Sequence, residues 1–542
     1  MVKLFALLFS LGWLISDHYP PWLSFHNDIF FAFSFITFLA FSLTKIKSPK
    51  IPIDIVVSVI LLIAIFTAFV NSQIHKLYIT DIFFPTVYIA FFAASVATPL
   101  WLKSSTLNTP VSGIILYAAI IASIASVYLQ LKVWLGVNPF GLAIYYSSGG
   151  SGTRPYANLA QPNLLGTLLL WGLIGLTWLR SKKEIGYLTF GVSAVFILFG
   201  IALTQSRTAL LGLTLVTLFA GIYAFREKSF SIFINFFTAW IILILMRHFL
   251  PILDTWLLGG EMPDRDFFND NARVKIWLLT VEGILHSPYI GWGLRDLHPL
   301  VLQHGDYFTS LGATISKTHN IALDLIVWFG IPIAFLIILS SSLWLVKILP
   351  HVRNNTDLAS LLALVTILVH SMLEFPHQYL FFIIPTGIFI GSLNLLVEWR
   401  PLLTLRRYHV ICLLFLSAVV TVFIGAQYLK VEEEFRNWRF HNLSIGLKHE
   451  ASNVNFPIFD KYHEFLRASR LRPLSDGTIS ENERNILIRA INAKPTPGMI
   501  INLALHYKAA GQEDLSKKWL DSLCAITPPE QCLEYRKFVF PE

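Results

Sequence analysis

Residues 111–131 read VSGIILYAAIIASIASVYLQL, and none of these side chains carries a charge. A helix needs about 20 apolar residues to cross the hydrocarbon core of a bilayer, so this stretch is long enough. Similar stretches recur through residue 430 of the 542-residue chain, which is 55% hydrophobic and only 14% charged. The sequence therefore predicts an all-α polytopic membrane protein.

Thirteen segments qualify as candidate transmembrane helices, although the first and the eleventh are short. They cover residues 4–16, 28–44, 53–70, 82–102, 111–131, 158–179, 186–203, 209–225, 230–249, 321–346, 358–372, 379–399 and 408–428. If the N-terminus is cytoplasmic, the cytoplasmic segments hold fifteen Lys and Arg, whereas the opposite short loops hold only Lys76, Lys132, Arg154 and Arg207. This asymmetry follows the positive-inside rule and predicts an odd number of spans with an exported C-terminus.

The net charge of +8 belongs mostly to these cytoplasmic segments, so it gives no indication of a nucleic-acid partner. The opening MVKLFALLFSLGWLISDH could also be a signal peptide. No small-x-small cleavage site follows it, and we interpret it as the first span.

The chain changes character at residue 430. Residues 1–429 contain the spans and a long exported loop, 250–320, whereas residues 430–542 contain no window that could cross a membrane. We predict that 430–542 is a soluble helical domain, in which two helices around Gly511 have the spacing of one tetratricopeptide unit. Its Cys524 and Cys532 would form a disulfide in an oxidising compartment, and two free thiols are the alternative.

A polar segment precedes the sixth span, where residues 151–163 read SGTRPYANLAQPN. Asn158, Gln161 and Asn163 enter the membrane boundary, where amides are costly unless they face protein or a wet cavity. They could form an interhelical hydrogen-bond clamp or a ligand site. Arg154, on the same exported face, favours the ligand site.

A second polar cluster ends the seventh span, in LTQSRTALLG, with Gln205, Ser206 and Arg207 on the exported side. An Arg at a membrane surface is often only an anchor, but basic residues are scarce on this face. Two guanidinium groups near the boundary suit a bidentate anionic ligand such as a diphosphate.

The exported loop supplies a third cluster. Arg273 and Lys275 begin an apolar-faced helix that we expect to lie along the membrane surface. The four histidines of the loop are spaced by 12, 6 and 15 residues, which matches no metal signature, so we predict no metal site. His319, followed by Asn320 and the tenth span, could exchange a proton near neutral pH. Glu374, after the eleventh span, could instead be a base or hold His319, but we favour the alternative that it is a helix-terminal acid facing water.

Three motifs resemble the bacterial O-antigen ligase superfamily: RPYANLAQPN at 154–163, TQSR at 204–207, and His319-Asn320 followed ten positions later by Gly330. The resemblance covers roughly residues 150–425, and its first motif is similar to the pilin-type protein O-oligosaccharyltransferases. Three residues after Gly330, where ligases often have Gly, Thr or Tyr, this chain has Ile333. This difference counts against a lipopolysaccharide ligase more than against a protein-glycosylating enzyme.

The resemblance implies an enzyme of the bacterial inner membrane, with no cofactor, that moves an oligosaccharide from undecaprenyl diphosphate to a Ser or Thr of an exported acceptor such as a pilin. It implies a periplasmic C-terminal domain, which could contact the acceptor or serve as a packing cap; we favour contact. An O-antigen ligase or a polysaccharide polymerase using the same donor is the alternative. A transporter is less favoured, because few charges lie within the spans.

The resemblance also assigns roles. Arg207 would stabilise the diphosphate leaving group, with Arg154 and Arg273 assisting, and His319 would orient or deprotonate the acceptor hydroxyl. An important Tyr of the family corresponds to Tyr379, or Phe375 occupies its position.

Overall fold

The computed structural model describes residues 2–46, 48–103, 109–137, 153–259, 271–304, 312, 314–399, 401–446, 456–471 and 477–541, so Ser151 and Gly152 of the polar segment lie outside the described residues. The α-helices are α1 (Val2–Leu14), α2 (Phe25–Leu43), α3 (Ile55–Phe69), α4 (Ile79–Leu102), α5 (Val111–Trp134), α6 (Pro162–Ser181), α7 (Tyr187–Thr204), α8 (Arg207–Glu227), α9 (Ser231–Leu258), α10 (Asn271–His286), α11 (His298–His304), α12 (Ile321–Ile348), α13 (Asn355–Ser371), α14 (Leu380–Asn394), α15 (Arg407–Asn442), α16 (Asp460–Arg470), α17 (Glu481–Ala493), α18 (Pro497–Ala509), α19 (Glu513–Ile526) and α20 (Pro529–Val539). Two strands, β1 (Lys50–Asp54) and β2 (Pro401–Arg406), complete the regular structure together with a π-helical turn at Val70–Ile74 and 3-10 turns at Leu349–His351, Pro376–Gln378 and Pro457–Phe459.

Ten helices of the described chain are long and apolar enough to cross a membrane, namely α2 to α9, α12 and α15. The shorter apolar helices α1, α13 and α14 overlap the remaining predicted spans. The prediction of a helical, polytopic membrane protein is confirmed. Whether the three shorter helices also cross the bilayer stays a prediction.

The chain divides into two compact units. Unit one comprises Met1–Ile63, Tyr88–Phe267 and Ser341–Phe423, and unit two comprises Ala64–Val87, Phe268–Ser340 and Ile424–Glu542. The predicted domain boundary at residue 430 falls inside α15, which continues without a break to Asn442.

Helix α6 is the most deeply packed helix of unit one, because every residue from Leu164 to Leu179 is buried. A β-carbon at Gly166 would stand 2.8 Å from Cβ of Ala209 on α8, so the two helices cross closely there. Small residues at such crossings let helix backbones approach each other within a membrane. This packing fixes the start of α6 beside the start of α8.

The pairing of β1 with β2 was not predicted from the sequence. The strands run antiparallel with Lys50 opposite Arg406, and buried Asp54 accepts a hydrogen bond of 2.7 Å from Nδ2 of Asn394. Each strand is short and its partner lies far along the chain, so local periodicity does not reveal the pairing.

In unit two, α12 is broken at Gly330, which has φ 75° and ψ 167°. A β-carbon at Gly330 would stand 2.3 Å from the carbonyl oxygen of Tyr289, and the amide of Ile331 donates to the carbonyl of Pro288 at 2.7 Å. Only glycine allows the preceding loop to lie against this break. The third motif therefore has a structural reason for its Gly.

The C-terminal helices of unit two include the predicted helix pair. Helices α18 and α19 flank a turn at Gly511, where φ is 71°, and Oγ of Ser516 donates to the carbonyl of Ala504 at 2.7 Å. Cys524 of α19 and Cys532 of α20 form a disulfide with Cα atoms 5.0 Å apart. The bond joins α20 to the end of α19.

Candidate active site

The polar segment before α6 is a tightly turned loop in unit one. Ala157 and Ala160 have φ of 50° and 59°, and Gln161 is extended as the residue that precedes the helix. Pro162 takes the first helical position, where its missing N–H costs nothing. The loop therefore delivers Asn163 to the first turn of α6.

Asn158 of this loop is buried and anchors it to α1. Its Nδ2 donates to the carbonyl of Leu14 at 2.6 Å, and its own carbonyl oxygen lies 2.7 Å from Nε2 of His18. These contacts correspond to the clamp interpretation of the amides. A role of Asn158 in substrate binding stays a prediction.

A hydrogen-bond chain, Ser206–Asn163–Glu374, joins the starts of α8 and α6 to the turn after α13. Oγ of Ser206 donates to Oδ1 of Asn163 at 2.7 Å, and Nδ2 of Asn163 donates to Oε1 of Glu374 at 3.1 Å. Ser206 also caps α8, because its Oγ accepts from the amide of Ala209 at 3.0 Å. Ser206 and Glu374 are buried, so these polar groups depend on their partners. The expectation that Glu374 is a helix-terminal acid facing water is therefore wrong, because the side chain is buried against Asn163 at the start of α6.

A second polar contact lies one helical turn further along α6 and α13. Oγ1 of Thr167 and Nδ1 of His370 are 2.7 Å apart, and both residues are buried. The amide of Glu374 donates to the carbonyl of His370 at 2.8 Å. This pair was not predicted from the sequence. Its signal is the spacing, because Thr167 follows Asn163 by four positions and His370 precedes Glu374 by four positions.

Three arginines stand beside the Ser206–Asn163–Glu374 chain. Arg207 is the first residue of α8, and Nη1 of Arg247 on α9 donates to the carbonyl of Ser206 at 3.1 Å. The guanidinium groups of Arg207 and Arg247 are close enough to repel each other. Nε of Arg154 donates to the carbonyl of Thr204 at 2.8 Å, at the end of α7. Such a concentration of guanidinium groups suits a diphosphate.

Arg247 was not among the residues predicted from the sequence. The available signal is a basic residue near the end of an otherwise apolar span, which is rare without a functional reason. Gln205, from the second polar cluster, follows the last residue of α7 with a left-handed φ of 49°.

Tyr379 and Phe375, the two candidates for the family's Tyr, are neighbours. Their ring centroids are 6.0 Å apart, and the ring of Tyr379 stacks on that of Phe381 at 5.1 Å. The amide of Leu380, which follows Tyr379, donates to Oδ1 of buried Asp28 at 2.7 Å. Both candidates thus lie in the same turn before α14, and the hydrogen bond to Asp28 holds the end of that turn in place.

His319 lies in a tight turn before α12 in unit two, with a left-handed φ of 57°. Asn320 caps α12, because its Oδ1 accepts from the amides of Ala322 and Leu323 at 3.0 and 3.2 Å. A residue other than glycine holds a positive φ only where its surroundings fix it. The surroundings of His319 therefore fix its backbone conformation in this turn.

Thr318 fixes the same turn from the other side. Its Oγ1 donates to Oδ1 of buried Asp324 at 2.7 Å, and its carbonyl accepts from Nε1 of Trp277 on α10 at 3.0 Å. Lys317, one residue earlier, forms a salt bridge of 2.7 Å with Asp296. Lys317, Thr318 and Asn320, which surround His319 in the chain, are thus held by side-chain contacts.

Arg273 and Lys275 lie in the first turn of α10, where Arg273 is half-buried and Lys275 is exposed. Val274, Leu278 and Val281 of the predicted apolar face are 52%, 53% and 45% exposed. An uncovered apolar face is what a helix on a membrane surface requires. That placement stays a prediction.

Three protein families match parts of the chain. They are described as O-Antigen ligase, over residues 192–338, as Protein glycosylation ligase, over residues 155–179, and as Virulence factor membrane-bound polymerase, C-terminal, over residues 358–532. The first covers Arg207, Arg273, His319 and Gly330, and the second covers Asn163.

Two relatives from Acinetobacter baylyi carry the same indication. A protein named General O-oligosaccharyltransferase is 23% identical over 517 residues, which is 90% of this chain and 87% of the relative. A protein named ComP-specific O-oligosaccharyltransferase is 28% identical over 252 residues, which is 46% of this chain and 45% of the relative. Parts of this chain thus match families of the O-antigen ligase superfamily, and the matches together identify a glycosyltransferase.

In this glycosyltransferase the predicted site residues fall into two sets. Unit one holds Arg154, Asn158, Gln161, Asn163, Gln205, Arg207, Glu374 and Tyr379, and unit two holds Arg273, Lys275, His319 and Asn320. The structure brings Asn163 and Glu374 together next to Arg207. The convergence of His319 with Arg207 and Arg154 stays a prediction.

Proposed function

We propose that this protein is an O-linked oligosaccharyltransferase that moves a glycan from undecaprenyl diphosphate to a Ser or Thr of an exported acceptor protein, such as a pilin. The pair of Arg207 and Arg247 beside the buried Ser206–Asn163–Glu374 chain carries this proposal. The names of both relatives, one of them specific for ComP, support a protein acceptor.

In the proposed reaction the acceptor hydroxyl oxygen bonds to the anomeric carbon, and the bond from that carbon to the diphosphate oxygen breaks. Negative charge grows on the departing undecaprenyl diphosphate, so fixed guanidinium groups lower the barrier. We assign this role to Arg207, with Arg247, Arg154 and Arg273 assisting. The imidazole of His319 orients the hydroxyl and accepts its proton.

Glu374 has a positioning role in this proposal. It accepts from Asn163, which accepts from Ser206, the cap of the helix that begins with Arg207. A carboxylate that is buried and already hydrogen-bonded is better suited to holding Arg207 than to taking a proton. Gln205, Gln161, Lys275 and Asn320 would contact the substrates.

We also propose thirteen spans in a bacterial inner membrane, a cytoplasmic N-terminus, and a periplasmic domain over residues 430–542 that contacts the acceptor. The excess of basic residues in alternate loops supports this orientation. The apolar face of α10 would rest on the periplasmic side of the membrane.

A polysaccharide polymerase is the second candidate, because the match over residues 358–532 is to a membrane-bound polymerase family. Its acceptor would be another lipid-linked glycan. A lipopolysaccharide ligase, with a lipid acceptor, is the third.

One experiment separates these candidates. The chain is expressed in cells that make an undecaprenyl-diphosphate-linked glycan, lack their own ligase, and export a pilin, and all three acceptor classes are analysed by mass spectrometry. We expect the pilin to gain the mass of the glycan. Elongated lipid-linked glycans with an unmodified pilin would identify a polymerase, and a glycan on the lipopolysaccharide core would identify a ligase.

The proposed chemistry uses guanidinium groups in place of a metal ion. Transfer by the purified protein should therefore continue in EDTA at an unchanged rate. Loss of activity in EDTA that a divalent ion restores would contradict this part of the mechanism.

A further inference from the structure

A polar cavity of about 260 Å³ lies within unit two. It is bordered by the loop before α4, the loop before α11, and helices α16 and α17. Its lining includes His75, Tyr78, Arg295, Asp296, Lys461 and Arg489. No residue assigned to the transfer reaction lines it.

Most charges of this cavity are already paired. Nζ of Lys461 lies 2.9 Å from Oδ1 of Asp81 and 3.3 Å from Oδ2 of Asp296, and Lys317 contacts the other oxygen of Asp296 at 2.7 Å. Burial alone would raise the pKa of Asp296, but Lys317 and Lys461 outweigh burial and hold that pKa below its usual range. Asp296 is therefore an anion whose charge is fully neutralised.

Arg489 is satisfied as well. Its Nε lies 3.4 Å from Oε1 of Glu464, its guanidinium stands 4.8 Å from the ring centre of Tyr78, and the hydroxyl of Tyr78 donates to Glu464 at 2.9 Å. These contacts form one wall of the cavity and leave no charge in excess there.

Arg295 and His75 differ from these residues. Nε of Arg295 and Nε2 of His75 are buried, and neither has a hydrogen-bond partner among the described residues. Burial lowers the pKa of Arg295, against the opposing effect of Asp81, and burial together with Arg295 lowers the pKa of His75. Nε of Arg295 is thus a buried donor without a partner, which is costly, and an anion would accept its hydrogen bond. His75 already donates to the backbone of Ile290, so Nε2 of its neutral imidazole is a buried acceptor, which a hydroxyl group would satisfy.

The loop that carries Arg295 packs closely against His75 and Asn71, and this packing places Arg295 in the cavity wall. A β-carbon on Gly293, where φ is 83°, would stand 2.9 Å from Cδ2 of His75 and 3.1 Å from Oδ1 of Asn71. The same oxygen of Asn71 accepts from the amide of Leu294 at 3.1 Å. Only glycine lets the loop lie this close to His75.

We propose that this cavity binds an anionic sugar residue of the glycan, with its carboxylate or phosphate on Arg295 and a sugar hydroxyl donating to Nε2 of His75. The cavity has room for a sugar ring, and Asn492, Gln303 and Asp81 line it with groups that can bond ring hydroxyls. An acidic peptide side chain would fill less of it and leave these groups unused. This inference rests on the proposed function, because it specifies that the glycan transferred by the enzyme contains an acidic sugar.

Direct binding tests the inference without the transfer reaction. Saturation-transfer NMR on the purified full-length protein in detergent compares D-glucuronate and D-glucose 6-phosphate with D-glucose and with N-acetyl-L-aspartate N-methylamide, at constant ionic strength. We expect at least one of the two acidic sugars to bind and the other two compounds not to bind. The two acidic probes distinguish a carboxylate from a phosphate.

The variant Arg295→Met should weaken binding about tenfold or more, because it removes a charge-assisted hydrogen bond. Arg484→Met removes the same charge from α17, where Arg484 pairs with Glu481, and should leave binding unchanged. If Arg295→Met is not monodisperse, Arg295→Gln replaces it.

Three outcomes overturn the inference: neither acidic sugar binds, binding survives the loss of the Arg295 charge, or the aspartate derivative binds equally well. Each of them leaves the transfer experiment with the pilin untouched. Failure of transfer to the pilin with intact sugar binding would instead refute the proposed function alone.

Discussion

Arg207 and His319 are the side chains on which the proposed transfer depends most. Replacing either by Ala should lower transfer about 100-fold or more, since one stabilises the leaving group and the other handles the acceptor proton. The measurement is the rate of pilin modification by purified protein. Arg353→Ala and His441→Ala, both at exposed positions, are the matched controls. A His319→Ala variant with ordinary activity would refute the assigned role.

The contact between Asn163 and Glu374 permits a reciprocal exchange. Asn163→Asp removes the donor that faces Glu374 and sets two carboxylates together in a buried place, so we expect a lower Tm in detergent and weaker transfer. Adding Glu374→Gln restores a donor between the two positions and should recover part of both losses. Independent, additive effects of the two substitutions would show that the contact has no energetic importance.

The sequence alone singled out Arg207, Asn163 and Glu374 as candidates, because polar residues at the ends of apolar spans are conspicuous. It did not identify Arg247, nor show that Ser206 joins Asn163 to the start of α8. Those relations depend on which helices are neighbours, and helical periodicity describes each helix without its neighbours.

At the scale of whole elements, the break of α12 at Gly330 supports a specific expectation. Gly330→Ala places a β-carbon 2.3 Å from a backbone oxygen at a positive φ, so it should destabilise the protein by about 2 kcal/mol or more. Thermal unfolding in detergent measures the effect. Gly191→Ala on α7 is the control, because a β-carbon there meets nothing within 4 Å, and it should leave Tm unchanged or slightly raised. Equal Tm values for the two variants would contradict the explanation of this glycine.

The elements themselves were largely predictable, because each predicted span overlaps an observed apolar helix. Apolar runs of sufficient length leave few alternatives to a helix in a membrane. The β1–β2 pair could not be predicted, since two short segments far apart in sequence pair through backbone groups that carry no side-chain signature. The continuity of α15 was not predicted either, because its charged second half changes the composition at residue 430 but not the helical conformation.

At the scale of the whole molecule, the way the chain divides into two units explains why one site could not be predicted from the sequence. Unit two is assembled from three separate parts of the chain, so the cavity around Arg295 combines the loops before α4 and α11 with the C-terminal helices. No single stretch of sequence contains that site. The salt bridges of Lys461 with Asp81 and Asp296 join α16 to the first turn of α4 and to the loop before α11.

The cysteines test the proposed orientation of the whole chain. Cys524 and Cys532 form a disulfide in the structure, whereas Cys412 on α15 is a free thiol. Such a bond persists in an exported domain and is rare in a reducing cytoplasm. Mass spectrometry after denaturing alkylation should therefore find one modified cysteine before reduction and all three after it. In Cys532→Ser we expect two modified cysteines without reduction, which identifies the partner of Cys524.

Closing so short a loop contributes about 2 to 3 kcal/mol in the chain-entropy model, so reduction should loosen α20 while the other C-terminal helices remain folded. Three modified cysteines before reduction would contradict both the bond and the periplasmic position of the C-terminal domain.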